Sequence, residues 1–329
     1  IYTGEDTLSL HDALPIYLKN VEFNKLPWAS FASSNAIEVL NVGKTEILNC
    51  VFIDFDFGLK CLGSENVSNE VKLDNCSFNH CDIGFYSSES KVQVSHSHFF
   101  NCIENGLYVL NPETDLQISS SGFNGNTTAA YIDNKSGQTR YTFIESCDFG
   151  KNKVGLGLNK LNTVLTCSRF LGNEIGLKDE NGYLNLSQDK QFTGSVYSNV
   201  GGNNTFAYNS NSGLFVKGSV LYLNNGKNNF LQTSGTKVCN FVLGDIVYTQ
   251  ETHETISPYK FKASNNYWKD APFNGNIGNG AMSLYFVKFS YPNSNSSTLN
   301  LFSGDLYPSL NKVLDNISFK VLFPILVLK

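Results

Sequence analysis

Arginine is almost absent from this chain: only Arg140 and Arg169 occur among its 329 residues. This scarcity disfavours a site that grips phosphate or carboxylate groups through several bidentate guanidinium contacts. The charge balance is also close to neutral, with 24 basic and 29 acidic residues. Nucleic-acid binding requires a strongly basic surface, so we expect no nucleic-acid partner.

Long apolar runs and closely spaced cysteine pairs are missing as well. No apolar stretch reaches the roughly 20 residues that a membrane-spanning helix needs, so we expect no transmembrane segment. None of the eight cysteines forms a Cys-x-x-Cys pair, and a zinc site therefore has little support. Turn-forming asparagine, serine and glycine are abundant instead, as in turn-rich chains built from β-strands.

The first sixteen residues do not resemble a natural protein segment. The string over 7–16, Thr-Leu-Ser-Leu-His-Asp-Ala-Leu-Pro-Ile, matches one reading frame of a common short-read sequencing adapter. Residues 1–3 match an upstream part of the same oligonucleotide. We interpret residues 1–16 as an adapter artefact without functional weight. We therefore expect the native N-terminus, with any secretion signal on it, to be missing from the chain.

A phenylalanine that returns roughly every 25 residues dominates the rest of the sequence. Its best copies share one context, as in Val71-x-Leu73-x-x-Cys76-x-Phe78, and other copies place serine where this one has Cys76. We interpret the cysteines at this position as small core residues. Such self-similarity indicates stacked repeats and not one globular core. The series comprises Phe23, Phe52, Phe78, Phe99, Phe123, Phe149, Phe170, Phe206 and Phe230.

Each repeat contains two runs of alternating apolar and polar residues, which predict two β-strands. Leucine-rich repeats share part of the pattern, but here a glycine and a second strand follow the phenylalanine, and no helical periodicity appears between repeats. The sequence resembles the right-handed parallel β-helix repeat proteins, and the right hand follows the rule for parallel crossovers. Asparagine recurs three residues after the phenylalanine and predicts a stacked, hydrogen-bonded column at a bend.

The predicted fold is therefore an all-β, right-handed parallel β-helix of about nine coils. We assign the β-helix to residues 17–275, with an irregular insertion near 179–202, where two successive phenylalanines are 36 residues apart. Residues 276–329 are predicted to form a cap or a β-rich tail.

Positions at equal distances from each phenylalanine should stack, and this rule predicts an acidic corner. Asp54, Asp56, His80 and Asp82 follow two successive phenylalanines by two or four residues. Asp54, His80 and Asp82 are our candidates for acid–base catalysis, and the three aspartates for binding Ca²⁺, the one cofactor considered. A solvated turn, in which aspartate is common, explains the same residues without any function.

The same rule predicts an aromatic surface. Tyr86 and Tyr108 come two residues after the glycine that begins their strands, so they should point outward, followed by Ile132 in the next coil. Stacked tyrosines can receive the apolar faces of sugar rings while their hydroxyl groups stay hydrated. Packing between neighbouring strands explains the pair equally well.

Enzyme motifs known from polysaccharide-degrading β-helices are missing from the sequence. The Asn-Thr-Asp, Gly-His-Gly and Arg-Ile-Lys pattern of polygalacturonases is absent. A site like that of pectate lyases needs an arginine or lysine base beside a carboxylate cluster that holds Ca²⁺, but Arg169, Lys151 and Lys153 lie on later coils than Asp54 and Asp82. We therefore expect a non-enzymatic bacterial protein, secreted or on the cell surface, that serves adhesion or carbohydrate binding. The alternative is a polysaccharide lyase or glycoside hydrolase acting on an acidic polysaccharide. The oligomeric state has no signature in the sequence.

Overall fold

The computed structural model describes residues 8–11, 15–25, 34–64, 69–188, 200–217, 219–223 and 226–231, together with four short strands further along the chain. Those strands lie at 241–243, 261–262, 267–268 and 287–288. Every regular element in these ranges is a β-strand, and none of them contains a helix long and apolar enough to cross a membrane. The strands form three stacked parallel sheets, so the predicted parallel β-helix is confirmed.

Most strands of the first sheet are six residues long, and most have the glycine of their repeat as the second residue. Its ten strands, in spatial order, are β1 (Leu8–His11), β4 (Asn35–Leu40), β7 (Phe57–Leu62), β10 (Ile83–Ser88), β13 (Asn105–Leu110), β16 (Thr128–Asp133), β19 (Val154–Asn159), β22 (Ile175–Glu180), β25 (Ser212–Lys217) and β28 (Phe241–Leu243). The glycine is required by close packing, because a Cβ atom on Gly84 would lie 2.6 Å from the carbonyl oxygen of Gly106.

The second sheet contains the alternating runs that precede each phenylalanine. Its nine strands are β2 (Ile16–Lys19), β5 (Lys44–Leu48), β8 (Asn69–Asp74), β11 (Ser90–Ser95), β14 (Leu116–Ser119), β17 (Tyr141–Glu145), β20 (Asn162–Thr166), β23 (Tyr183–Asn185) and β26 (Val220–Tyr222). In β11, Val92 and Val94 are buried while Gln93 between them is exposed, which is the period-two pattern read from the sequence.

The third sheet consists of very short strands, and all but the last carry the repeated phenylalanine. They are β3 (Glu22–Asn24), β6 (Val51–Ile53), β9 (Ser77–Asn79), β12 (His98–Phe100), β15 (Gly122–Asn124), β18 (Asp148–Gly150), β21 (Arg169–Leu171), β24 (Thr205–Ala207), β27 (Asn229–Leu231) and β30 (Tyr267–Trp268). β30 pairs with β27 and places Trp268 opposite Phe230. Two further strands, β29 (Phe261–Lys262) and β31 (Val287–Lys288), pair with each other.

The phenylalanines form one continuous stack through the interior. Neighbouring rings are nearly parallel, within 6°, and their centroids are 4.6 to 5.1 Å apart from Phe23 to Phe230. Each ring covers the next, so the stack is buried from end to end. The column assignment made from the repeat is confirmed for these residues.

A ladder of buried asparagines runs beside this stack. The side-chain amide of Asn126 donates to the Asn152 carbonyl oxygen at 3.0 Å, Asn152 donates to Asn173 at 3.0 Å, and Asn173 donates to Asn209 at 3.1 Å. The backbone N–H of Asn126 also donates to Asn152 Oδ1 at 2.8 Å. The predicted hydrogen-bonded asparagine column is thus confirmed, and it satisfies the polar groups of a buried bend.

The cysteines of the described residues are all free thiols. Six are buried, and Cys167, in a turn with left-handed backbone, is exposed. Cys76 and Ser97 occupy one column, where the backbone N–H of Cys76 donates to the Ser97 hydroxyl at 3.1 Å. Cysteine and serine therefore fill the same small space in successive coils.

Two predicted segment boundaries meet the limits of the described residues. In the predicted insertion near 179–202, residues 179–185 still belong to β22 and β23 in the regular stack, and 189–199 lie outside the described ranges. The predicted cap or tail over 276–329 also lies outside them, except for the short strand β31.

Candidate functional site

The outer face of the first sheet carries a column of three tyrosines. Tyr86 lies opposite Tyr108, and Tyr108 lies opposite Tyr131. The expectation that Ile132 continues the column is wrong, since Ile132 faces the core and is fully buried. In the coil of Tyr131, Ala129 stands where the coils of Tyr86 and Tyr108 have glycine. Counting two residues from a glycine therefore did not locate Tyr131.

The three rings are inclined to one another, so they do not form a flat platform. Tyr86 and Tyr108 have centroids 5.3 Å apart with ring planes at 81°, and Tyr108 and Tyr131 are 5.5 Å apart at 50°. Phe57 meets Tyr86 at 6.0 Å and 79° and extends the same aromatic strip. The Tyr131 ring lies over Gly157, where a Cβ atom would come within 2.6 Å of it. The strip therefore consists of inclined rings, each packed against its neighbour.

The phenol groups of Tyr108 and Tyr131 stay protonated at neutral pH. Partial burial raises the pKa of both Tyr108 and Tyr131 above the ordinary tyrosine value, and the carboxylate of Asp133 adds to the effect. A protonated phenol both donates and accepts a hydrogen bond. The strip thus combines apolar ring surface with polar groups at its edge.

The predicted acidic corner is only loosely assembled. Asp54 and His80 occupy equivalent exposed turn positions with left-handed backbone, at φ 66° and 54°. Asp82 lies two residues further, half-buried. Among the residues that the structure describes, no hydrogen bond or ion pair joins the side chains of Asp54, His80 and Asp82.

Asp56 is committed to a structural role at that corner. One carboxylate oxygen accepts the backbone N–H of Ser34 at 2.7 Å, and the other is 3.3 Å from the Lys25 ammonium group. Burial and the neighbouring Asp56 raise the pKa of Asp82 above its ordinary value. Within the described ranges, no group of three or more His, Cys, Asp or Glu side chains is placed to hold a metal ion. The predicted Ca²⁺ site therefore gains no support from this geometry.

A polar cleft that the sequence did not reveal opens beside β16, β19 and β22. It has a volume of about 360 Å³ and lies where the first sheet turns into the second. The loop over 134–140 forms one wall, tied down by Asn134, whose amide donates to the carbonyl oxygens of Gln138 and Lys160 at 2.7 and 3.1 Å. The lining residues are Asn134, Gly137, Gln138, Thr139, Arg140, Lys160, Asn162, Asn181, Gly182 and Tyr183.

Comparisons with known proteins do not narrow the choice of function. No protein-family model matches the chain, and comparison with curated proteins and with solved structures gives no significant match. Function must therefore be inferred from the tyrosine strip, the acidic corner and the cleft themselves.

Proposed function

We propose that the protein is a non-enzymatic, secreted or cell-surface β-helix that binds carbohydrate through its tyrosine strip, as an adhesion or glycan-recognition rod. The observation that carries this proposal is the in-register column of Tyr86, Tyr108 and Tyr131 on the outer face of a rigid sheet. Aromatic rings on a protein surface stack against the C–H faces of sugars, and phenols bond to their hydroxyl groups.

Rigidity favours this use of the strip. Each tyrosine is half-buried and packed against the next, so little side-chain freedom remains to be lost when a ligand binds. The strands below are linked rung by rung and hold the rings at fixed spacing. An extended polymer lying along the stack would meet the same kind of contact on successive coils.

A glycan array probed with the 329-residue chain tests the proposal. We expect binding to a set of glycans, and loss of that binding in Tyr108→Ala, which removes the central ring of the strip. Tyr17→Ala is the matched control, because Tyr17 is 60% exposed and lies on the second sheet. Absence of binding by the parent chain, or equal binding by the two variants, would refute the strip as a glycan site.

The rival function is a polysaccharide lyase or glycoside hydrolase that uses the acidic corner. One observation favours it: the pKa of Asp82 is raised by burial and by Asp56, as in carboxyl groups that donate a proton. Depolymerisation of a uronate polymer by the parent chain, abolished in Asp82→Asn, would establish the rival. Our proposal expects no depolymerisation by either protein.

A further inference from the structure

The cleft beside the 134–140 loop has a charge unlike that of the whole chain. Its lining contains the cations Arg140 and Lys160 and no aspartate or glutamate, although the chain carries a net charge of −5. The second arginine of the chain, Arg169, is neutralised by a bidentate pair with Asp148. Within the described ranges neither Arg140 nor Lys160 has an acidic partner, so the cleft concentrates uncompensated positive charge.

The Arg140 guanidinium is held in place before any ligand arrives. Its Nε donates to the carbonyl oxygen of Pro112 at 2.8 Å, and one terminal nitrogen donates to the side-chain oxygen of Gln138. These neutral acceptors fix the orientation of the guanidinium without cancelling its charge. Donors remain on it for an anionic group, and such charge-assisted hydrogen bonds are the strong ones.

Neutral groups complete the cleft. Asn162 lies between Tyr141 and Tyr183 on the outer face of the second sheet. Tyr183 is 39% exposed, and no described residue hydrogen-bonds to its hydroxyl group or to the Asn162 side chain. An exposed ring beside a free amide suits a sugar, which presents a C–H face and hydroxyl groups together.

We propose that this cleft binds a carboxylate-bearing sugar unit of an acidic oligosaccharide. Arg140 and Lys160 bind the carboxylate, Asn162 bonds to ring hydroxyls, and Tyr183 packs against the sugar face. The inference rests on the proposed glycan-binding function but uses a different surface. Tyr131 precedes Asn134 by three residues, about 10 Å along an extended strand, so one glycan chain can contact both surfaces.

Calorimetric titration of the full chain with tetragalacturonic acid, and with its fully methyl-esterified form, tests the inference. The acidic tetramer should bind more tightly than the ester, and added salt should weaken its binding. In Lys160→Gln the acidic tetramer should bind about tenfold more weakly, as expected for one lost charge-assisted contact. Arg140→Gln should weaken it at least as much.

Lys151→Gln is the matched control. Lys151 and Lys160 are both exposed lysines in left-handed turns, at φ 55° and 56°, but Lys151 does not line the cleft. The Lys151→Gln variant should bind the acidic tetramer as tightly as the parent chain does. Circular dichroism should show that Lys160→Gln, Arg140→Gln and Lys151→Gln are all folded.

The outcomes separate this inference from the proposed function. Equal binding of acid and ester, or equal weakening by Lys160→Gln and Lys151→Gln, overturns the cleft site. If the parent chain in that case still binds glycans whose binding is lost in Tyr108→Ala, the proposed glycan site on the tyrosine strip is supported and only the cleft site is refuted. Binding of the acidic tetramer that depends on Lys160 but not on Tyr108 supports the cleft alone.

Discussion

Asp179 places a carboxyl group in the interior of the β-helix, and this position predicts a specific dependence of stability on pH. Its neighbours in the inward-facing column of the first sheet are Leu158 and Val216. Asp179 is fully buried, and neither carboxylate oxygen makes a hydrogen bond of ordinary geometry with a described residue. Burial raises the pKa of Asp179 from 3.8 to about 7, and the nearby hydroxyl of Ser219 offsets only part of this.

The magnitude follows from that shift in pKa. In the unfolded chain Asp179 loses its proton near its ordinary pKa of 3.8, whereas in the folded chain it keeps the proton up to about pH 7. The unfolded state is therefore favoured progressively as the pH rises from about 4 to 7, and folding stability falls over that window. A shift of about three units corresponds to about 4 kcal/mol. Below pH 4 this penalty is absent.

The variant Asp179→Val should remove the effect, because valine continues the apolar column between Leu158 and Val216. Urea unfolding of parent and variant at pH 4 and pH 8 measures it. The variant's advantage in free energy of unfolding should be larger at pH 8 than at pH 4 by about 4 kcal/mol. Glu174→Gln, which changes an exposed carboxylate, should keep the parent's pH profile. An advantage of Asp179→Val that is equal at both pH values would show that Asp179 is not held protonated in the core.

Two further predictions concern buried polar groups. Asn152→Ala removes the acceptor of the Asn126 backbone N–H and the side-chain hydrogen bonds that join Asn152 to the coils on either side. The free energy of unfolding should therefore fall by about 3 kcal/mol. The control Asn162→Ala should change it by less than about 0.5 kcal/mol. Chemical denaturation of both variants measures the difference, and similar losses would argue against the ladder. Iodoacetamide should label exposed Cys167 in the native protein and leave buried Cys102 unlabelled, as peptide mass spectrometry can verify; equal labelling would contradict the packing.

The repeated core could be predicted from the sequence because each coil repeats one local environment. Phe78, Phe99 and Phe123 follow the same short pattern, and the structure stacks all three. The asparagine column could be predicted as well, because an asparagine that recurs at the same bend hydrogen-bonds to the equivalent asparagine of the next coil. The number of strands per coil was not predicted from the sequence: two were expected and three are present. The strands of the third sheet have only two or three residues, which is too short for alternation to be visible.

The outer surface was predicted less well. Tyr86 and Tyr108 were placed correctly, but Tyr131 was missed where Ala129 replaces the expected glycine. A surface position tolerates many residue types, so only the register of the backbone shows which side chains are neighbours. The position of Asp82 in its coil could likewise be predicted, but its raised pKa could not, because that pKa depends on burial and on the nearby Asp56.

The sequence alone determined that this chain folds as a stack of parallel coils, because apolar side chains that recur at a constant interval are buried together when each coil packs on the next. It also determined that the repeated phenylalanines and asparagines line the interior. Only the tertiary structure decided where the surface can bind. The loop over 134–140 folds back toward Lys160 and Tyr183, which follow it by 20 or more positions. The unpaired positive charge in the cleft arises because these residues of different coils come together, and no single repeat encodes it.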